Sequence, residues 1–196
     1  MAGRYLDDSR ISALIGAAGE VFLLGGAAAG SHTPRMLAAG LGLAGYGHLL
    51  LRKGDLSQRW ADAGKLWIAQ FGVLLASGIM ASPHDFVIGT AGAVSYLILN
   101  APKPTEGLKS IWNKALSAID RQGAVELAGK IVIAGSALYA ALCFAPLYAP
   151  ALAEYLGLTG GVDGTGIGLA AAWIAASLYQ IKAGRAMRAN PPANDL

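Results

Sequence analysis

ISALIGAAGEVFLLGGAAAG, residues 11–30, decides the fold. Arg10 bounds the stretch on one side and Ser31-His32-Thr33-Pro34-Arg35 on the other, and its only ionisable group is Glu20, at the middle. A helix rises ~1.5 Å per residue, so this one reaches ~30 Å, the thickness of a bilayer's hydrocarbon core. It reads as a membrane span.

Outward from that stretch, residues 36–51, 64–81, 86–99, 123–144 and 167–181 have similar character. Thr33-Pro34 predicts a tight restart, with Thr33 as N-cap and Pro34 in the first helical position. Arg52-Lys53-Gly54-Asp55 is a polar stop, and Trp60 and Trp67 flank the next entrance where an interfacial aromatic belt is expected. Ser82-Pro83-His84-Asp85 predicts a turn, with His84 and Asp85 as turn and cap residues. The fourth span then offers fourteen residues, or about 21 Å, so neighbours must shield it or the bilayer must thin around it. Pro146 and Pro150 predict an apolar loop at 147–149, before a short interfacial helix carrying Glu154.

Between the fourth and fifth spans, residues 107–121 place Leu108, Ile111, Trp112, Leu116 and Ile119 at helical spacing against Lys109, Asn113, Lys114, Asp120 and Arg121. That pattern predicts an amphipathic helix on the cytoplasmic membrane surface. The fold class expected is all-α: a polytopic integral membrane protein whose residues 1–196 form one transmembrane domain, with six transmembrane helices as three helical hairpins. Ala18-Gly19-Glu20, Ala63-Gly64-Lys65 and Ala128-Gly129-Lys130 recur near the starts of the odd spans, as a threefold hairpin repeat would show. Ala183-Gly184-Arg185 is a fourth match that no such repeat predicts.

Composition agrees: 55% of the 196 residues are hydrophobic, 14% are charged and 27 are glycine, which excludes an ordinary soluble domain. The net charge of +3 does not indicate nucleic acid, because the basic residues sit at helix ends, where a topology signal belongs. An N-terminus in the cytoplasm puts every Lys and Arg except Arg35 on or toward the inside, which predicts a cell (inner) membrane protein with both termini cytoplasmic. Ala27-Ala28-Ala29 resembles a signal-peptidase site, but Asp7 and Asp8 dilute the basic flank, so the first span is expected to be retained. Cys143, the only cysteine, excludes an intrachain disulfide, and the scattered His32, His48 and His84 show no metal-ligand spacing.

Candidate chemistry lies in the charges. An ionisable group inside a membrane costs about 2.5–3.5 kcal/mol on insertion scales, so Glu20 is a functional candidate. Ala13, Gly16, Ala17 and Ala27 share its helix face, and such small residues permit close approach of another helix. Lys130 lies nine residues from Arg121 and Glu20 ten from Arg10, while Lys65 is shallower and His48 approaches from the other direction. A polar cluster of Glu20, His48, Lys65 and Lys130, with Gln70 above it, is therefore expected to line a cavity. The other reading is structural: Glu126 precedes Lys130 by four residues, the favourable order for an intrahelical pair, and both lysines can snorkel to the headgroups.

No catalytic triad and no paired intramembrane carboxylates indicate an enzyme. Gly164-x-Gly166-x-Gly168 follows no strand and has the wrong spacing for a dinucleotide loop; helix packing explains it as well. The sequence assigns no cofactor, and the lipid bilayer is the expected partner. These features favour transport or a channel for a small solute or ion, with Glu20 as coupling or gating group. The alternative is an accessory or structural subunit of a membrane complex, or a homo-oligomer, suggested by the short fourth span, the glycine-rich faces and the surface helix.

Overall fold

The computed structural model describes residues 2–52, 56–99 and 121–189. They form seven helices and, among these residues, no strand: α1 (Ala2–Ala29), α2 (Thr33–Leu51), α3 (Leu56–Ala81), α4 (Pro83–Leu99), α5 (Arg121–Tyr148), α6 (Pro150–Tyr155) and α7 (Gly164–Ala189). Four contain stretches long and apolar enough to cross a membrane: Asp8–Ala29, Asp62–Ala81, Gly123–Tyr148 and Gly164–Arg185. Leu14, Phe22, Leu37, Ile79, Met80, Leu138 and Leu147 are exposed on the outside, an apolar surface suited to lipid. The helix expected over 107–121 lies outside the described residues, apart from Arg121 at the start of α5.

The six long helices close into a ring. Each packs on its neighbours in the order α1, α2, α3, α4, α5, α7, and α7 returns to α1. Small residues set the close approaches. On the α1–α7 seam a Cβ at Gly19 would lie 2.5 Å from the Ala172 Cβ, and one at Gly26 would lie 2.4 Å from Thr165 Oγ1. The two contacts are seven residues apart on each helix and run in opposite directions, the register of an antiparallel pair. Ser12 Oγ donates to the Ala176 carbonyl (2.9 Å) and Lys182 pairs with Asp8 (3.0 Å) on the same seam. On α3–α4 the backbones themselves approach: a Cβ at Gly89 would meet Leu75 N at 2.5 Å.

Side chains fill the axis. Leu23, Tyr46, Trp60, Trp67, Phe71, Leu74, Ile88, Tyr139, Leu169 and Trp173 form one buried cluster drawn from all six ring helices. Trp60 and Trp67 belong to it, their rings 5.5 Å apart. They are core residues and not the interfacial belt expected, because their positions on α3 face the ring interior.

The helix ends also depart from expectation. α1 closes with the His32 N–H on the Ala27 carbonyl and the Ser31 N–H on the Ala28 carbonyl, around Ser31 at φ 57°. That turn leaves His32 at the N-cap of α2 without a side-chain cap, and puts Thr33 inside the helix. α4 begins at Pro83 rather than Phe86 because Ser82 Oγ accepts the Asp85 N–H (3.4 Å), so the expected turn is the helix's first turn. Its 17 residues then rise ~26 Å. α5 continues through Pro146 to Tyr148, so 147–148 are helix and not loop; a proline in the last turns displaces few hydrogen bonds.

Two glycine substitutions separate packing from propensity. Gly89→Ala drives a methyl into the α3 backbone and is expected to lower stability by about 1–3 kcal/mol. At Gly40 nothing lies within 4 Å of a Cβ, so Gly40→Ala is expected to be neutral or stabilising by up to about 1 kcal/mol. Unfolding from mild detergent by titrated dodecyl sulfate reads both.

Candidate functional site

Two polar sites lie along the ring axis, one at mid-depth and one at the end where α1 turns into α2. The inner site centres on Glu20, which is 0% exposed. Its Oε1 accepts hydrogen bonds from Gln70 Nε2 (2.5 Å) and Trp173 Nε1 (3.1 Å). Both donors are neutral, and they come from α3 and α7. Gln70 reaches Glu20 past α2 because position 42 is glycine: a Cβ there would lie 2.4 Å from Glu20 Cδ and 2.5 Å from Gln70 Nε2. Ala13, Gly16 and Ala27 lie buried on the same α1 face, Gly16 against the Tyr46 ring. Glu20 Oε2 and Gln70 Oε1 are buried with no hydrogen-bond partner among the described residues. Buried polar atoms are nearly always satisfied, so this node is only half complete by itself.

The outer site is a vestibule of about 610 Å³ lined by α1, α2, α3, α4, the 157–163 loop and the start of α7. Arg35 spans it. Its Nε and Nη2 meet the Asp85 carboxylate (3.2 and 3.1 Å), and its Nη1 meets Asp163 Oδ2 (3.1 Å). Asp85 opens α4 and Asp163 precedes α7, neither of which flanks α2 in the ring, so the guanidinium latches the ring across its mouth. Ser77 Oγ also donates to Asp85 (3.1 Å), and the Gly166 N–H donates to Asp163 Oδ1 (2.9 Å), capping α7. Burial alone would raise the Asp163 pKa; the Gly166 amide and Arg35 outweigh it and hold the carboxyl below its usual range.

One apolar layer separates the two sites. Leu23, Leu74 and Leu169 each lie one turn outward from Glu20, Gln70 and Trp173, and all three are fully buried.

Of the five site residues read from the sequence, Glu20 and Gln70 meet. The other three stand elsewhere. His48 lies 3.9 Å from Asp62, which also binds Arg52 (2.6 Å) and the outward-facing Lys65 (3.1 Å). Lys130, also exposed, pairs with Glu126 (2.9 Å), which Arg185 shares (3.2 Å). Of these pairings the sequence's second reading named Glu126 with Lys130; those on Asp62 it did not.

The vestibule residues Arg35, Asp85 and Asp163 were not among the sequence candidates. The available signal was Arg35, the single basic residue that the charge pattern leaves outside. His84, Cys143 and Asp163 bring donor atoms within 4.8 Å of one another, the grouping among the described residues that fits a metal ion. Linear spacing hid it, since its members lie on three different elements. Comparison with protein-family models, curated proteins and solved structures gives no match.

The latch predicts unequal arginines. Arg35→Met strands two carboxylates, of which Asp85 is 4% exposed, and is expected to cost about 3 kcal/mol. Arg52→Met removes a pair whose arginine is 54% exposed and is expected to cost at most about 1 kcal/mol. The same detergent unfolding compares them.

Proposed function

We propose that the chain is a six-span membrane protein that moves a small ion or solute, with the Glu20–Gln70 node as its intramembrane station and the vestibule as its outer mouth. The observation that carries the proposal is the half-satisfied node. A carboxyl kept only for packing would have both oxygens occupied, whereas Glu20 Oε2 and Gln70 Oε1 have no partner among the described residues in a fully buried setting. Two acceptor oxygens of this kind suit a proton, a small cation or a hydrogen-bond-donating solute. The leucine layer is then the closed gate of the state described, one helical turn thick.

The ring supports the reading of six crossings. α2 and α4 pack as full members between α1, α3 and α5, and at 19 and 17 residues they rise ~28 and ~26 Å. Packed between members that are long and apolar enough to cross, they are proposed to cross with them. Arg35 at the vestibule, against Arg52, Arg59, Lys65, Lys182 and Arg185 toward the other end, supports termini in the cytoplasm and an inner-membrane location.

A second reading, an accessory subunit or homo-oligomer, has one observation in its favour. Gly40, Ala44 and Gly47 form an outward stripe on α2 that the ring's own packing leaves open, and small residues of this kind let a further helix approach.

Reconstituted vesicles test the transport reading. Wild type is expected to carry a proton-coupled or cation flux that Glu20→Gln reduces at least about tenfold, with the helical content and unfolding midpoint retained. Flux of the same size in the two proteins would contradict it. The detergent-corrected mass of the purified protein tests the second reading, which expects an oligomer or a co-purifying chain.

A further inference from the structure

His84, Cys143 and Asp163 are not used by the Glu20 reading, and together they have the chemistry of a ligand set. His84 sits in the first turn of α4, Cys143 near the outer end of α5 and Asp163 just before α7. Their donor atoms all lie within 4.8 Å of one another. His84 is 8% exposed and its Nε2 has no hydrogen-bond partner among the described residues. An imidazole nitrogen so buried normally finds a donor or acceptor, and its bareness calls for a ligand. The ring packs edge-on against Tyr139 (5.8 Å between centroids), which fixes its plane.

The approach of the thiol to the carboxylate is made possible by Gly166. A Cβ there would lie 2.7 Å from Cys143 Sγ and 2.8 Å from Asp163 Oδ2, so the missing side chain leaves the space the two atoms flank. Asp163 is held at both oxygens, by the Gly166 amide and by Arg35, and each oxygen keeps a second lone pair for a metal. Second-shell contacts of this kind orient ligands in metal sites.

We propose that His84, Cys143 and Asp163 bind one divalent transition ion of the zinc class, with its fourth position open to the vestibule. A thiolate, an imidazole and a carboxylate form a borderline-soft set that excludes calcium and magnesium, which take oxygen ligands. Bonds of about 2.0–2.3 Å place tetrahedral ligands roughly 3.5 Å apart, so the donors need close by only about 1 Å. Charge also fits. With Cys143 ionised on binding, three anions, Asp85, Asp163 and the thiolate, face the single Arg35 cation, and a divalent ion neutralises the excess. The proton leaves through the vestibule, which His84 and Asp163 line. This site lies beyond the leucine layer from Glu20, and its occupancy does not require that a solute pass.

The test is a cobalt titration of the tag-free, metal-stripped full-length protein in detergent. Saturation at one Co²⁺ per chain is expected, with tetrahedral visible bands and a near-ultraviolet thiolate-to-cobalt band, both removed by Zn²⁺ and unaffected by Ca²⁺. Cys143→Ser is expected to abolish the thiolate band, and His84→Gln to weaken binding at least about tenfold. No thiolate band in folded wild type, or undiminished cobalt binding in Cys143→Ser, would overturn the site. Because Cys143 is the only cysteine, the wild-type spectrum decides the matter even where a variant does not fold.

Discussion

The hydrogen bonds that Gln70 and Trp173 give to Glu20 Oε1 join three helices at the centre of the ring, and the packing around them is arranged to allow it. A carboxyl at mid-depth has no water to solvate it, so the chain must bring its partners from other elements. Gly42 is the condition for that. Any side chain at that position would separate Gln70 from Glu20, and α2 would no longer fit between α1 and α3. Phe71, the neighbour of Gln70 on α3, packs edge-on against Trp173 (5.6 Å), and position 92 must be glycine to receive its other face. The polar contact and the aromatic core are thus parts of one layer.

Charge is divided between the two ends according to depth. At the end away from the vestibule, Asp8, Asp62 and Glu126 each take a basic partner that is half exposed or more, and such pairs orient helices more than they stabilise them. Arg35 has a different task. It lies half-buried between Asp85 and Asp163, each at a helix N-terminus where a carboxylate is favoured by the helix dipole, so one cation fixes the starts of α4 and α7 together. The vestibule is the space beneath that latch.

Much of this architecture is legible in the sequence, and the parts that are not have a common cause. Apolar runs bounded by charge give α1, α3, α5 and α7, and the small-residue face around Glu20 is indeed the buried face. Depth along a helix can be counted from its ends, which is why the expected cluster contains Glu20 with Gln70 above it. Azimuth cannot be counted that way. Lys65 and Lys130 stand at suitable depths but project outward, to 66% and 55% exposure, and find Asp62 and Glu126 on their own helices. Trp60 and Trp67 fail for the same reason. The vestibule escaped because Arg35 meets residues 50 and 128 positions away, a distance over which no local pattern carries information. Ser82-Pro83-His84-Asp85 did carry a signal: a serine three residues before an acid is a helix start as much as a turn, and reading it so places His84 and Asp85 inside the fold.

The proposed transport role requires Glu20 to be an incomplete site open to a ligand and not a sealed contact. Infrared difference spectroscopy of wild type against Glu20→Gln, with pH varied across neutrality and small cations added, addresses it directly. An open site gives a carboxyl signal, absent from the variant, that shifts with pH or with an added ion. A Glu20 carboxyl that keeps one state throughout and exchanges no proton with deuterated solvent would contradict it.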